Sequence, residues 1–248
     1  MTLDDREKKW LLEEKYNGVE TPEFFADVQK LASGTPLAYL IGNIPFLGAV
    51  IDLDSKPLIP RTETEYWVDI VIKKEIKDSS LEILDIFSGS GCVGVGVLHN
   101  TKNIHVDFAE LKTKHTKQIQ KNLAINTLDP SRYDIFESNV FESLPKKHYD
   151  IILANPPYIS KNKKETVQDS VLHHEDPDAL FAENEGLYFI EKLIKESKEY
   201  LKPQGKVFAE FDPWQKELLE DICKQNSITN YSFICDQYDK ARVFVFQY

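Results

Sequence analysis

Apolar and polar residues change period along this chain, and from Leu81 onward they do so regularly. Leu81 to Phe87 is a short apolar run of strand length, and Gly91 to His99 reads as a helix. Ile104 to Glu110 is the next strand, Thr113 to Asn126 the next helix, and Tyr133 to Glu137 and Tyr149 to Asn155 are two further strands. Leu187 to Leu201 predicts a helix that stops before Lys202-Pro203-Gln204-Gly205; Lys206 to Phe211 predicts a strand and Trp214 to Gln225 a helix. Alternating strands and helices imply a parallel sheet covered on both faces. Tyr231 to Tyr238 and Ala241 to Tyr248 are separated only by Asp239-Lys240. That link is too short for a parallel crossover, so the two must pair antiparallel.

The first part of the chain follows another pattern. Thr2 to Tyr16 has helical character with Leu3, Trp10 and Leu11 as inward positions, closed by Asn17-Gly18. Thr21-Pro22-Glu23 starts a second helix, with proline at the first helical position and Phe24, Phe25, Val28 and Leu31 as its apolar face. Residues 36–53 read as a β-hairpin or ribbon. Thr62 and Glu65 have capping-box spacing ahead of Trp67, Val68, Val71 and Ile72, which predicts a helix start beside Arg61. The expected organisation is a short helical segment over 1–33, a hairpin and linker over 34–57, and one α/β domain over 58–248.

The chemistry concentrates in Asn155-Pro156-Pro157-Tyr158, directly after the apolar run Tyr149 to Ala154. Two prolines supply no backbone N–H and fix φ, so the chain leaves the strand as a stiff loop at its carboxyl end. Ligands bind at that edge of an open α/β sheet. The Asn155 side-chain oxygen and the Pro156 carbonyl are both acceptors, and set side by side they can hold the two hydrogens of a planar NH2 group. Such a nitrogen is a poor nucleophile because its lone pair is delocalised. Two acceptors draw density onto it, and the Tyr158 ring offers a face for stacking. The plain alternative is a turn after a strand.

Asp85-Ile86-Phe87-Ser88-Gly89-Ser90-Gly91 joins the first strand of the domain to its helix. It is neither GxGxxG nor a phosphate-binding loop with its lysine. Asp85 would repel phosphate and attract a cation such as an α-ammonium. Glu110 ends the next strand, about 20 residues on, where a carboxylate meets ribose hydroxyls in doubly wound folds. A ligand with ribose and positive charge but no pyrophosphate is suggested: S-adenosylmethionine fits, and a nicotinamide dinucleotide fits poorly. Arg61 reads either as a surface ion pair or as an anchor at this site.

Composition narrows the class. The 248 residues carry 42% hydrophobic and 29% charged residues, a soluble balance, and no run is long enough to span a bilayer. Residues 1–16 are too charged for a secretory signal. Three cysteines (Cys92, Cys223, Cys235) lack metal-ligand spacing and suggest free thiols in a reducing cytoplasm. No metal site is expected. His173-His174 reads as a solvated loop. A net charge of −11 argues against a nucleic-acid partner. Of the basic clusters, Lys112 to Lys117 reads as a solvated helix face, and Lys161 to Lys164 could touch a partner.

Together these residues resemble a class I methyltransferase, and specifically the PrmC/HemK release factor glutamine methyltransferases. The resemblance runs from Gly34 to the C-terminus. It rests on Gly34 to Gly42, Leu58 to Glu65, Asp85 to Cys92, Asn155 to Ile159, Glu175 to Leu180 and Gly186-Leu187. It implies a Rossmann-like, mostly parallel seven-stranded sheet with a C-terminal antiparallel hairpin. It also implies a peptide chain release factor as partner, methylated at N5 of the glutamine in Gly-Gly-Gln. Ser88, Gly89, Ser90 and Gly91 would wrap the methionine part of S-adenosylmethionine, Glu110 would hold the ribose, and Asn139 and Val140 would flank the adenine. Asn155, Pro156, Pro157 and Tyr158 would bind the glutamine. Phe87 stands where the family usually has glycine and Asn139 where it often has aspartate, and the segment before Gly34 is shorter than the family's helical domain. The tetrad is shared with adenine amino-methyltransferases, so a nucleic-acid substrate, a ribosomal-protein glutamine and a non-catalytic cofactor-binding module stand as alternatives.

Overall fold

The structure, a computed structural model, describes residues 5–76 and 80–248. Leu3, expected to face inward, lies outside the described residues. Strands β3 (Glu82–Ile86), β4 (His105–Glu110), β5 (Tyr133–Glu137) and β6 (Tyr149–Ala154) fall where the apolar runs predict them. With β9 (Leu201–Glu210), β10 (Asn230–Cys235) and β11 (Ala241–Gln247) they form a seven-stranded sheet in the order β10-β11-β9-β6-β3-β4-β5. β11 runs antiparallel to both β9 and β10, and the remaining pairings are parallel. The class I methyltransferase topology with its terminal hairpin is therefore present.

Alternate residues of each strand feed two different cores. Ile83, Val106, Phe108, Ile151, Leu153 and Phe208 face one side, against helices α4 (Thr62–Val71), α5 (Cys92–Asn100) and α6 (Thr113–Ile125). Leu84, Ile86, Ile152, Ala154, Val207 and Ala209 face the other, against α8 (Tyr188–Glu196) and α9 (Lys216–Gln225). This is the period-2 alternation of a sheet buried on both faces, which is why the strands read as continuous apolar runs. Gly94 shows how tightly the first layer packs: a Cβ there would lie 2.3 Å from the Phe108 ring.

The N-terminal region departs from expectation in several places. Helix α1 (Asp5–Tyr16) buries Leu11, but Trp10 is exposed with Arg6 over its ring. Helix α2 (Pro22–Ala32) is capped by Thr21 as predicted; it buries Phe24 and Leu31 and leaves Phe25 exposed. Successive residues on a helix lie about 100° apart, so neighbouring large side chains cannot all point inward. Residues 37–41 form a short helix, α3, rather than strand; only β1 (Asn43–Phe46) and β2 (Ala49–Asp52) make the hairpin. Leu11, Phe24, Leu31 and Leu40 close a small core of their own. The hairpin, by contrast, places Phe46 and Ile51 in the main core.

The capping box at Thr62 is absent. Thr62 Oγ1 donates to Glu63, and Glu65 accepts the Leu47 N–H of the hairpin turn at 2.6 Å. β9 begins earlier than predicted because its register shifts across residues 202–205, so the Pro-Gln-Gly break is an irregularity within a strand rather than its start. Three elements gave no sequence signal: β7 (Ile159–Ser160) and β8 (Phe181–Ala182), which pair in a two-residue parallel ladder, and α7 (Asp169–His174). His173 and His174 are the last turn of α7, not loop.

Candidate active site

The strand order reverses direction about β3, whose neighbours are β4 and β6. At such a switch point the following loops part and leave a crevice at the carboxyl edge. A cleft of about 1010 Å³, counting its open mouth, lies there. Asp85, Phe87, Ser88, Gly89, Ser90, Glu110, Asn139, Val140, Asn155 and Pro157 line it, so sequence-distant candidates converge. Arg61, Gly91, Pro156 and Tyr158 are not among its lining residues.

The loop after β3 turns back on itself through left-handed backbone. Phe87 has φ 61°, Gly89 55° and Gly91 77°. A phenylalanine in that region is strained, and here its ring is held edge-on by Phe189 at 5.2 Å. Ser88 Oγ donates to the carbonyls of Asp85 and Ala109 at 2.7 and 3.1 Å. Asn122 Nδ2 donates to Ser90 O at 2.9 Å, which ties the loop to α6.

Two carboxylates stand on this loop's flanks. Asp85 Oδ2 accepts the Gly94 N–H at 2.9 Å. Burial pushes its carboxyl up to about 7, partly opposed by the Gly94 N–H and assisted by the charge of Glu110. Glu110 accepts from Gly89 N at 2.8 Å and Lys112 N at 2.9 Å, and burial raises it as well. Each Glu110 oxygen has one backbone donor and keeps lone-pair capacity for a ligand hydroxyl. A Cβ on Gly89 would meet nothing within 4 Å, so there is open space beside the glycine backbone. A buried acid poised to ionise against a cation, a second with acceptor capacity, and an uncrowded glycine turn fit S-adenosylmethionine.

Asn155 stands across the cleft. Its Nδ2 donates to Thr64 Oγ1 at 3.3 Å, and Thr64 Oγ1 donates to Glu210 Oε2 at 2.7 Å. The proline loop is fastened from behind. Gln215 Nε2 donates to the carbonyls of Tyr158 at 2.9 Å and Glu185 at 2.7 Å, and Ile159 N donates to Leu180 O. Gly186 closes against this loop with φ 82°, and a Cβ there would sit 2.0 Å from the Tyr158 carbonyl. The Tyr158 hydroxyl donates to Glu210 Oε1 at 3.0 Å, which turns the phenol away from the cleft lining.

The segment 175–180 covers one side. Glu175 is buried and paired with Arg61 Nη2 at 2.7 Å. Asp176 and Asp178 take Lys112 Nζ at 2.6 and 2.9 Å, and all three line the cleft. Lys112 is therefore not part of a solvated helix face, and Arg61 serves as the anchor of this segment. His115 is also buried in the wall, its Nδ1 2.9 Å from Ser55 Oγ, and burial holds it down at about 4. Lys161 pairs with Glu183, and Lys163 Nζ lies 3.3 Å from the centre of the Trp214 ring. Thr64, Glu210, Lys112 and His115 had no local signal as site residues, because strand order and helix placement alone bring them here.

Residues 68–212 match the methyltransferase small domain family. The release factor glutamine methyltransferase of Streptococcus pneumoniae is 30% identical over 216 residues, covering 87% of this chain and 76% of that protein. That of Fusobacterium nucleatum is 32% identical over 213 residues, 85% of this chain and 59% of that protein. A bifunctional methyltransferase of Rickettsia felis is 29% identical, and this chain spans half its length. In fold, the hMettl16 catalytic domain in complex with an RNA hairpin superposes with a TM-score of 0.63 at 16% identity, over 81% of this chain and 75% of that one. The T. thermophilus 16S rRNA N2 G1207 methyltransferase in complex with AdoMet and guanosine gives 0.56 at 16% identity, over 83% and 49%. The chain belongs to the S-adenosylmethionine-dependent release factor glutamine methyltransferases.

Proposed function

We propose that this chain methylates the side-chain amide nitrogen, N5, of the glutamine in the Gly-Gly-Gln motif of a peptide chain release factor. The observation that carries the reading is the orientation of Asn155. Its Nδ2 is engaged by Thr64, which leaves Oδ1 as the acceptor for a donor in the cleft. With the Pro156 carbonyl it would hold the two hydrogens of the glutamine NH2, localise the nitrogen lone pair and aim it. Bound S-adenosylmethionine supplies the electrophilic methyl group of a sulfonium. Asp85 would hold the α-ammonium of the cofactor, Glu110 its ribose hydroxyls, the Ser88 to Gly91 turn its methionine part, and Asn139 and Val140 the adenine. Pro157 and Tyr158 would keep the loop rigid around the amide. No side-chain base is needed, since the nitrogen can shed its proton after attack; positioning and oriented dipoles carry the rate.

The test is transfer of label from S-adenosylmethionine to purified release factors, with a Gln→Ala variant of the Gly-Gly-Gln motif as control. Label on the wild-type factor alone supports the reading. No label on either, with cofactor binding intact, overturns it. Asn155→Ala should lower kcat by about 100- to 1000-fold, the loss seen when one oriented polar group is removed. Cofactor affinity should change little, and undiminished turnover would refute the role of Asn155.

A further inference from the structure

The Asn155 amide has two ends of similar shape and opposite hydrogen-bonding sense, and only the oxygen end can receive an NH2 group. What decides which end faces the cleft lies behind it. Glu210 ends β9, is 1% exposed, and receives three donors. Thr64 Oγ1 at 2.7 Å and Trp67 Nε1 at 2.8 Å donate to Oε2, and the Tyr158 hydroxyl at 3.0 Å donates to Oε1. Indole N–H can only donate, and three donors converging on one carboxylate are what its ionised form accepts. Burial raises the Glu210 carboxyl, while these donors and the Arg242 charge oppose that rise. The single proton of Thr64 is thereby committed to Glu210. Only lone pairs remain on Oγ1, so the group it meets on Asn155 at 3.3 Å must be the NH2 end.

We propose that Glu210 and Thr64 are positioning residues that set the polarity of the Asn155 amide, so that the site takes an amide and turns away a carboxylate of the same shape. The inference rests on reading the cleft as a glutamine site. A glutamate there would set its oxygens against Asn155 Oδ1 and the Pro156 carbonyl with no proton between them. Without the relay the Asn155 amide is free to invert, and its NH2 end would then welcome a carboxylate.

The experiment compares wild type with Thr64→Val, Glu210→Gln and Thr64→Ser. The readouts are kcat and KM for the release factor, cofactor affinity, and the inhibition constant of a release factor carrying Glu in place of the motif Gln. Glu210→Gln, whose amide oxygen must still face the Trp67 indole N–H and so still accepts the Thr64 proton, should change kcat and discrimination little. In Thr64→Val, by contrast, kcat should fall by about 10- to 100-fold, as loss of alignment entails. The glutamate factor should bind Thr64→Val about tenfold more tightly relative to KM, a gain comparable to one charge-assisted hydrogen bond. Cofactor affinity serves as the check on folding, and Thr64→Ser, which keeps the hydroxyl, should restore both values. If Thr64→Val slows turnover but leaves discrimination unchanged, Thr64 only packs and the inference falls while methylation stands. If wild type does not label the release factor at all, the proposed function falls and takes this inference with it.

Discussion

Asp85 is the residue whose environment most changes its chemistry. Its carboxyl sits at about 7 in the fold because burial penalises the charge, against about 3.9 in an unfolded chain. The folded state therefore binds the proton more tightly than the unfolded state between those values. Stability from this group is greatest at low pH and declines as pH rises from about 4 to about 7. His115, buried neutral, acts the opposite way as pH falls below its unfolded value. Comparing wild type with Asp85→Asn isolates the first effect. The ligand-free wild type should lose more of its Tm across that window than Asp85→Asn does. Cofactor affinity should rise over the same window in wild type and stay flat in the variant, because the ionised carboxylate is the form that pairs with an ammonium. Parallel titrations of the two proteins would refute this. Phe87 belongs at the same scale: its left-handed φ is the physical reason a glycine is usual at that point of the turn.

At the scale of elements, the segment over residues 175–180 is held by charge. Glu175 is buried against Arg61, which is itself about one third exposed. Asp176 and Asp178 share Lys112. Arg61→Ala would strand the Glu175 carboxylate. Breaking a buried pair costs roughly 3–5 kcal/mol, and the partial exposure of Arg61 reduces that here to about 2–3 kcal/mol. Chemical denaturation of Arg61→Ala, Glu175→Gln and the double variant measures it. The double variant should be more stable than Arg61→Ala alone, since no unpaired charge is left inside. Additive losses would mean that the two residues act separately. The segment also borders the cleft, so Arg61→Ala should weaken cofactor binding, whereas an anchor remote from the site would not.

At the scale of the molecule, the sheet separates two large cores, and the N-terminal helices hold a third, small one of Leu11, Phe24, Leu31 and Leu40. No helix among the described residues is long and apolar enough to cross a membrane. Tyr39 links the small core to the body by donating to the Pro57 carbonyl at 2.6 Å. We propose that residues 1–33 contribute to docking the protein substrate rather than to the cofactor site, which lies at the carboxyl edge of the sheet. Deleting them should leave cofactor affinity within a few-fold and raise KM for the release factor by about tenfold or more. An unchanged KM would remove them from substrate recognition.

Much of this was legible in the chain itself. Strands buried on both faces are near-continuous apolar runs, so β3, β4 and β6 were readable to within a residue or two, and the short, half-exposed edge strand β5 was read as well. The reversal at β11 followed from a link too short for a crossover. The Asn155 tetrad and the Asp85 to Gly91 turn declared themselves because their backbone demands are local: prolines stop a strand, and glycines take left-handed φ. Trp10, Phe25 and the Thr62–Glu65 spacing misled for the converse reason, since periodicity names a face but not what will cover it. Glu65 had a better partner in the hairpin turn than in its own helix. The direction of the Asn155 amide, the Thr64 to Glu210 relay and the hold of Arg61 on Glu175 were decided only by tertiary structure. Each joins residues from separate strands, helices and loops, and a hydrogen bond exists only once packing has brought its two ends within about 3 Å.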